Sequence, residues 1–392
     1  MPGRTSDMTA EDASFIRLRE RLVRLSDELR IAVIYNGDRD VAGAVIHPTH
    51  NPRSNKSYEA VARDIADSLQ ASGFKHVIVL PDDMRLGDRL RDEKIDLAWI
   101  NSAGVQGYGA VSHTPGMLEM LGIPYIGHNP LNAVTIDNKH AFKRGLLSLG
   151  LPTAPFVVWD GTSGPFLPAR SSLFLRTFEG FAGKYVVKPV SGRASQHIHV
   201  VDSLADLTDA VDVVYRATMN TVLVESYLPG AEYCVSVSGG VVARGAQLSR
   251  QRDPFVFSAI ERLLGPDETI FTSMDVRPIT LDRTRLLDPT IDAAVHAALV
   301  RLGKRVYLDF QLRSLVRIDI RSDSEGRLFV LEANPKPDLK RPRAGTYSLV
   351  CVGLDQCGMS YDDLILSLLI DRLDFYLRHR PRTTAHIQAL MQ

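Results

Sequence analysis

The chain has 392 residues, enough for two or three domains with cores of their own. Lys plus Arg and Asp plus Glu both total 46, so no charge excess recommends a nucleic acid or an anionic membrane as a partner. The three cysteines, Cys234, Cys351 and Cys357, have no C-x-x-C spacing, which argues against a disulfide framework and for a reducing compartment. No apolar run approaches the ~18 residues of a membrane span, and the first residues lack a basic segment followed by an apolar one. The expectation is a cytoplasmic enzyme or binding protein.

Phe15, Leu18, Leu22, Leu25 and Leu29 recur at three- and four-residue spacing, which predicts one amphipathic helix over 15–29. The pattern is short, so it suits a cover for the first domain better than a dimer seam. Strands are predicted at Ile31–Tyr35, His76–Leu80 and Leu97–Ile100, with a helix near Tyr58–Ala71. Such alternation implies a parallel sheet whose ligand crevice lies at the carboxyl ends of the strands. The glycine-rich stretch Asn101–Ala110 lies at such an end and suits either close approach to a ligand or a plain loop.

A helix over Thr114–Leu121 precedes a helical segment, Leu131–Gly150, that places Lys139 and Lys143 on one face. Lysines so placed are usually solvated, with phosphate binding as the alternative. Lys188 stands inside the apolar strand Lys184–Val190, where it must snorkel to water or meet an anion. Ser191–His197, which includes Ser195, then supplies small and donor residues in the manner of a phosphate-covering turn. A helix over Leu204–Ala217 and a strand Val222–Val224 lead to Glu225 and Glu232, two carboxylates flanking a turn. A hairpin is predicted through CVSVSGGVVARG. Leu248–Pro278 lacks periodicity, as a lid or a disordered segment does, and Arg250 and Arg252 would belong to it. Helices near Asp288–Leu302 and Tyr361–Arg378 complete the chain.

The most informative stretch is Val316–Pro337: two apolar strands joined by the polar turn Ser322–Arg327. Period two puts Arg317 and Asp319 on one face of the first strand, and Leu328, Val330, Glu332 and Asn334 on one face of the second. Strands apolar on both faces are buried, and ionised groups there need partners. Asp319, Glu332 and Asn334 are the hard oxygen ligands Mg²⁺ prefers. The alternative is an internal ion pair of Arg317 with Asp319 or Glu332.

Four ordered segments, DNKHAFK with GLPTAP, VVKP, VESYLPGAE, and RIDI followed by VLEANP, make the chain resemble the ATP-grasp superfamily. The D-alanine–D-alanine ligase branch is the nearest. The resemblance implies an α/β fold in three parts: an N-terminal parallel α/β domain (1–128), a central α+β lid subdomain (129–222) and a C-terminal subdomain with an antiparallel sheet (223–392). It further implies that Lys139 and Lys188 hold nucleotide phosphates, with Ser195 in the phosphate turn. Glu225 then lies at the adenine-side linker and Glu232 at the ribose. Asp319, Glu332 and Asn334 become ligands of two Mg²⁺ ions, for which Mn²⁺ can substitute, and Arg317 steadies the transferring phosphoryl group. The implied reaction is ATP-dependent ligation of small amino-acid or carboxylate substrates through an acyl phosphate, releasing ADP and phosphate. A homodimer is left open, as are a small-molecule kinase and a non-catalytic ATP-binding protein.

Three departures accompany the resemblance. NGDRDVAGAVIHPTHN lacks the branch's glycine-rich, first-substrate motif, SGRASQH is bulkier than its phosphate turn, and Pro335-Lys336-Pro337-Asp338 replaces its Thr-x-Pro-Gly turn. D-alanine as both substrates is therefore not expected. Lys336, Lys340 and Arg341 become candidate contacts for the carboxylate of a different acceptor.

Overall fold

In the computed structural model, which describes residues 5–49, 57–192, 196–245, 247–265, 268–271, 280–343 and 348–392, the leading amphipathic segment forms two helices. They are α1 (Thr5–Glu20) and α2 (Leu22–Glu28), broken at Arg21, where ψ is 2°. Leu18, Leu25 and Leu29 are buried all the same, because both helices lean on the first core. That core belongs to a four-stranded parallel sheet in the order β2-β1-β3-β4: β1 (Arg30–Asn36), β2 (His76–Asp82), β3 (Leu97–Asn101) and β4 (Tyr125–Ile126). Ile31 and Val33 face α3 (Glu59–Ala71), through Val61, Ile65 and Leu69. Ala32 and Ile34 face the opposite way, toward α4 (Leu86–Asp92) and α5 (His113–Leu121). Coverage of both faces explains the unbroken apolar run of β1.

The expected helix over Leu131–Gly150 is two helices, α6 (Pro130–Asp137) and α7 (Lys139–Ser148). Asn138 separates them in extended conformation and caps α7 by accepting the Ala141 N–H. An antiparallel sheet in the order β5-β8-β6-β7 follows, from β5 (Phe156–Trp159), β6 (Tyr185–Pro189), β7 (His199–Val201) and β8 (Val222–Ser226). Its core residues Val157, Val187 and Val224 pack with α8 (Ser172–Thr177) and α9 (Leu207–Thr218) through Phe174, Val211 and Val214.

The last part holds β9 (Glu232–Ser238), β10 (Val241–Arg244), β11 (Gln247–Arg250), β12 (Phe255–Arg262), β13 (Thr284–Leu286), α10 (Ala293–Asp309), β14 (Val316–Ser322) and β15 (Leu328–Asn334). Five strands form an antiparallel sheet in the order β13-β12-β9-β14-β15, while β10 pairs only with β11. The expected hairpin of β9 with β10 is therefore absent. The amides of Val241 and Ala243 are taken instead by Asp371 and Ser367 of α11 (Tyr361–His379), which draws β10 away from β9. The expected irregular segment Leu248–Pro278 carries the end of β11 and, after a bend over 251–254, all of β12 as far as Arg262, and 272–278 lies outside the described residues. Arg250 reaches Asp374 at 3.7 Å and the Phe15 ring, far from any lid role. A Ser360–Asp363 capping box starts α11, whose Leu364, Ile365, Leu368 and Leu369 join the first core, and α12 (Ala385–Leu390) packs beside α2. Among the described residues no helix is long and apolar enough to cross a membrane.

Candidate functional site

Five-stranded sheet registers decide which side chains share a face. Ile318, Ile320, Val330 and Ala333 point to the side covered by α6, α7 and α10, where Phe142, Leu299 and Val306 complete a core. The opposite face is left for polar groups. There Arg317 sits between Asn334 and Ser236, Asp319 between Glu332 and Cys234, and Arg321 beside Glu232, which in turn opposes Arg262. This polar grid floors an open cleft roofed by β6 and β8 of the central sheet, which contribute Val186, Lys188 and Glu225.

Strict alternation along β15 fails at one place. Asp319 pairs with Glu332 but Ile320 pairs with Val330, so Leu331 is an extra residue, a β-bulge. Glu332 and Asn334 keep the face expected of them, whereas Val330 is turned to the core and Leu331 lines the cleft. The GLPTAP segment accounts for the bulge. Pro152 accepts the Val330 N–H at 2.9 Å, and Thr153 donates its hydroxyl to the Val330 carbonyl at 2.8 Å. Both polar groups of Val330 are thus satisfied outside the ladder.

Every charged candidate in the cleft meets an opposite charge. Lys139 reaches Glu332 at 3.1 Å, and Lys188 pairs with Glu225. Asp319 accepts two bonds from Arg317, at 2.8 and 3.0 Å, and lies 3.0 Å from Arg262. Glu232 accepts from Arg262 at 2.8 Å and lies 3.5 Å from Arg321. Burial opposes ionisation of Glu332, yet Lys139, Lys188 and Arg317 outweigh it and hold its carboxyl down at about 2. Burial likewise opposes the Glu225 carboxylate, and Lys143 and Lys188 bring it below its ordinary range. Burial also works against the Arg317 cation, but Asp319 more than compensates.

Of the residues named from sequence, Lys139, Lys188, Glu225, Glu232, Arg317, Asp319, Glu332 and Asn334 all line this one cleft. Ser195 lies outside the described residues. Two participants, Arg321 and Arg262, escaped the sequence reading, and a third, Lys143, was named there as usually solvated with phosphate binding as the alternative. Arg321 continues the period-two series of Arg317 and Asp319, so its signal was present. Arg262 ends a strand that was read as irregular. Lys143 is not solvated: it is fully buried, 2.8 Å from Glu225 and 2.6 Å from the Thr153 hydroxyl.

The acceptor contacts expected after Asn334 are engaged elsewhere. The Lys336 ammonium sits 3.5 Å from the centre of the Tyr58 ring, Lys340 pairs with Asp338 at 2.9 Å, and Arg341 with Asp362 at 2.7 Å. Tyr58 and Asp362 lie at the start of α3 and in α11, so Lys336 and Arg341 are drawn to those helices, while Lys340 is held within its own segment.

The donor set suits a divalent cation brought in with phosphate. Among the described residues no three His, Cys, Asp or Glu side chains cluster closely enough to hold a metal by themselves. Asp319 and Glu332 oppose each other across the ladder, and the buried Nδ2 of Asn334 has no hydrogen-bond partner among the described residues. Two carboxylates and an amide, completed by substrate oxygens, match Mg²⁺ chemistry. The cleft wall carries five cations (Lys139, Lys188, Arg262, Arg317, Arg321) and five carboxylates (Asp137, Glu225, Glu232, Asp319, Glu332). Such a wall is neutral by formal count, and an entering cation neutralises part of the charge that a polyanion brings.

A central antiparallel sheet closing over a five-stranded one, with this charged cleft between them, is the arrangement of ATP-grasp ligases, enzymes that form carbon–nitrogen bonds. Residues 146–370 match the model of the D-ala D-ala ligase C-terminus family, over more than half of the chain, and the chain belongs to that family. It is 26% identical over 345 residues to D-alanine–D-alanine ligase B of Pseudomonas putida, covering 87% of this chain and 92% of the relative. It is also 27% identical over 268 residues to the uncharacterised protein y4sG of Sinorhizobium fredii, covering 68% and 71%. The D-alanine–D-alanine ligase of Bacillus anthracis, solved with ATP, has a similar fold: TM-score 0.63 at 19% identity, over 88% of this chain and 97% of that one.

Proposed function

We propose that this ATP-dependent ligase joins two small amino-acid-like substrates through an acyl phosphate, and that its substrate pair is not D-alanine with D-alanine. The observation that carries the reading is one cleft in which Lys139 meets Glu332, Arg262 and Arg317 meet Asp319, and Lys188 meets Glu225. Lys139 and Lys188 hold the β- and γ-phosphates, while Glu225 and Glu232 lie toward the base and ribose. Asp319, Glu332 and Asn334 would hold the metal, which supplies Lewis-acid neutralisation of the phosphate oxygens. Arg317, with Arg262 beside it, faces the charge that spreads over the transferring phosphoryl group as it passes to a substrate carboxylate. The amine of the second substrate then attacks the acyl carbon and phosphate leaves. The different substrate pair is supported by the Pro335–Arg343 strap, whose course onto α3 and α11 replaces the turn expected of the branch.

The test is a screen of amino-acid pairs for release of ADP and phosphate. The expected result is turnover only when a carboxylate and an amine are both present, with little from D-alanine alone. AMP and pyrophosphate as products would reject the acyl-phosphate route. ADP formation without an amine, with a stable phosphorylated product, would select a small-molecule kinase.

A further inference from the structure

Lys143 does not line the cleft, yet it is the most completely buried cation beside it. Its ammonium contacts Glu225 Oε2 at 2.8 Å, while Lys188 holds Glu225 Oε1. Its remaining contacts are the Thr153 hydroxyl at 2.6 Å and the face of Phe156 at 5.2 Å. Water is thus replaced on every side by protein, and such a charge persists only when paired and hydrogen-bonded. Glu225 therefore lies between two ammonium groups, one behind it and one at the cleft surface. If only Lys188 were present, the two charges would cancel, and little would remain to attract a phosphate oxygen. With Lys143 behind the carboxylate, the three groups carry one net positive charge, and that charge is presented at Lys188.

We infer that Lys143 is a positioning residue of the nucleotide site, which neutralises Glu225 from behind so that the Lys188 ammonium stays available to phosphate. The inference rests on the nucleotide reading above, and it predicts a specific pattern of compensation. Removing Lys143 leaves Glu225 to bind Lys188 alone; removing the Glu225 charge as well releases Lys188 again. A purely structural role makes the second substitution worse, because two buried partners are then lost instead of one.

The experiment is titration calorimetry of Mg-ATP and, by competition, adenosine, with the full-length wild type, Lys143→Met, Lys143→Arg and the double variant Lys143→Met/Glu225→Gln. Adenosine lacks phosphates, so the ratio of ATP to adenosine affinity reports the phosphate subsite, and its change from wild type to variant reports the state of Lys188. The expected result is a loss of about tenfold or more in that ratio for Lys143→Met, the size of one charge-assisted contact. Lys143→Arg should keep the ratio, and the double variant should recover most of it. Equal losses for ATP and adenosine, or a double variant no better than Lys143→Met, would overturn the inference. Failure of the wild type itself to bind Mg-ATP would instead overturn the nucleotide reading, and this inference with it.

Discussion

Arg317, Asp319, Arg321 and Glu332 face an open cleft, whereas Lys336, Arg341 and Arg343, immediately downstream, are turned onto α3 and α11. Both stretches mix cations with carboxylates, and the second is the richer in cations, four in eight residues against three in eighteen. In the first, strand alternation holds the charges on one face and opposes them across the ladder, at Asp319 with Glu332 and Arg317 with Asn334. In the second there is no strand to impose a face. Three of its cations find partners in other elements, Lys336 at Tyr58, Arg341 at Asp362 and the Tyr361 ring, and Arg343 at Asp64, while Lys340 pairs with Asp338 within the stretch. Charge in the cleft is held by geometry for a ligand to reorganise. Along the strap it fastens the end of β15 to α3 and α11.

The largest expected effect is that of Glu332→Gln, which keeps shape and removes the charge at the proposed metal site. Turnover should fall by about a hundredfold or more, the scale of losing one electrostatic stabiliser of a transition state, while the melting temperature stays within a few degrees. The same substitution frees Lys139, so ATP binding in excess EDTA should strengthen rather than weaken. Activity and metal-free nucleotide titration on one preparation check both. Unchanged turnover with a large loss of stability would reduce the Glu332–Lys139 pair to a structural contact and erase the contrast with the strap.

Asp64→Ala should break the strap instead. Asp64 is buried, accepts the Arg341 N–H at 3.1 Å and pairs with the Arg343 guanidinium. Its loss strands the Arg341 amide, at a cost of roughly 1–3 kcal/mol; Arg343 adds little, because its side chain is 61% exposed. Chemical denaturation should show that loss with ATP affinity unchanged. A weakened ATP site would show that strap and cleft are one mechanical unit.

Much of this contrast was readable from the chain, and the unread parts share a cause. Alternation in RIDI and LEAN gave the cleft face correctly because a strand between two layers has only two directions for a side chain. It misplaced Val330 because a bulge is decided by a distant partner, the Pro152-Thr153 segment, which the local pattern does not contain. The spacing of Lys143 allowed a solvated surface or phosphate binding, and it met neither, because helical spacing reports which residues share a face, not what that face meets; here it meets Glu225, eighty-odd residues on. The pairing of β9 with β14 and of β10 with β11 was likewise set by α11 far along the sequence, so CVSVSGGVVARG read as a hairpin that does not form. Direction along an element is local information, while burial of a charge depends on the fold as a whole.

Lys340 gives the smallest and most discriminating effect. From sequence it was a candidate for the acceptor carboxylate; in the structure it pairs with Asp338, and the two side chains are 28% and 22% exposed. A pair this close to solvent contributes on the order of 1 kcal/mol or less. Lys340→Ala should therefore leave stability, ATP affinity and the acceptor KM nearly as they are, once a substrate pair has been found by the ADP-release screen. The three substitutions then descend together, from a chemical defect at Glu332 through a mechanical one at Asp64 to none at Lys340. A several-fold rise in acceptor KM for Lys340→Ala at unchanged kcat would break that order. It would mean that the Asp338 pair opens when substrate arrives, and that the strap, like the cleft, holds its charge in reserve.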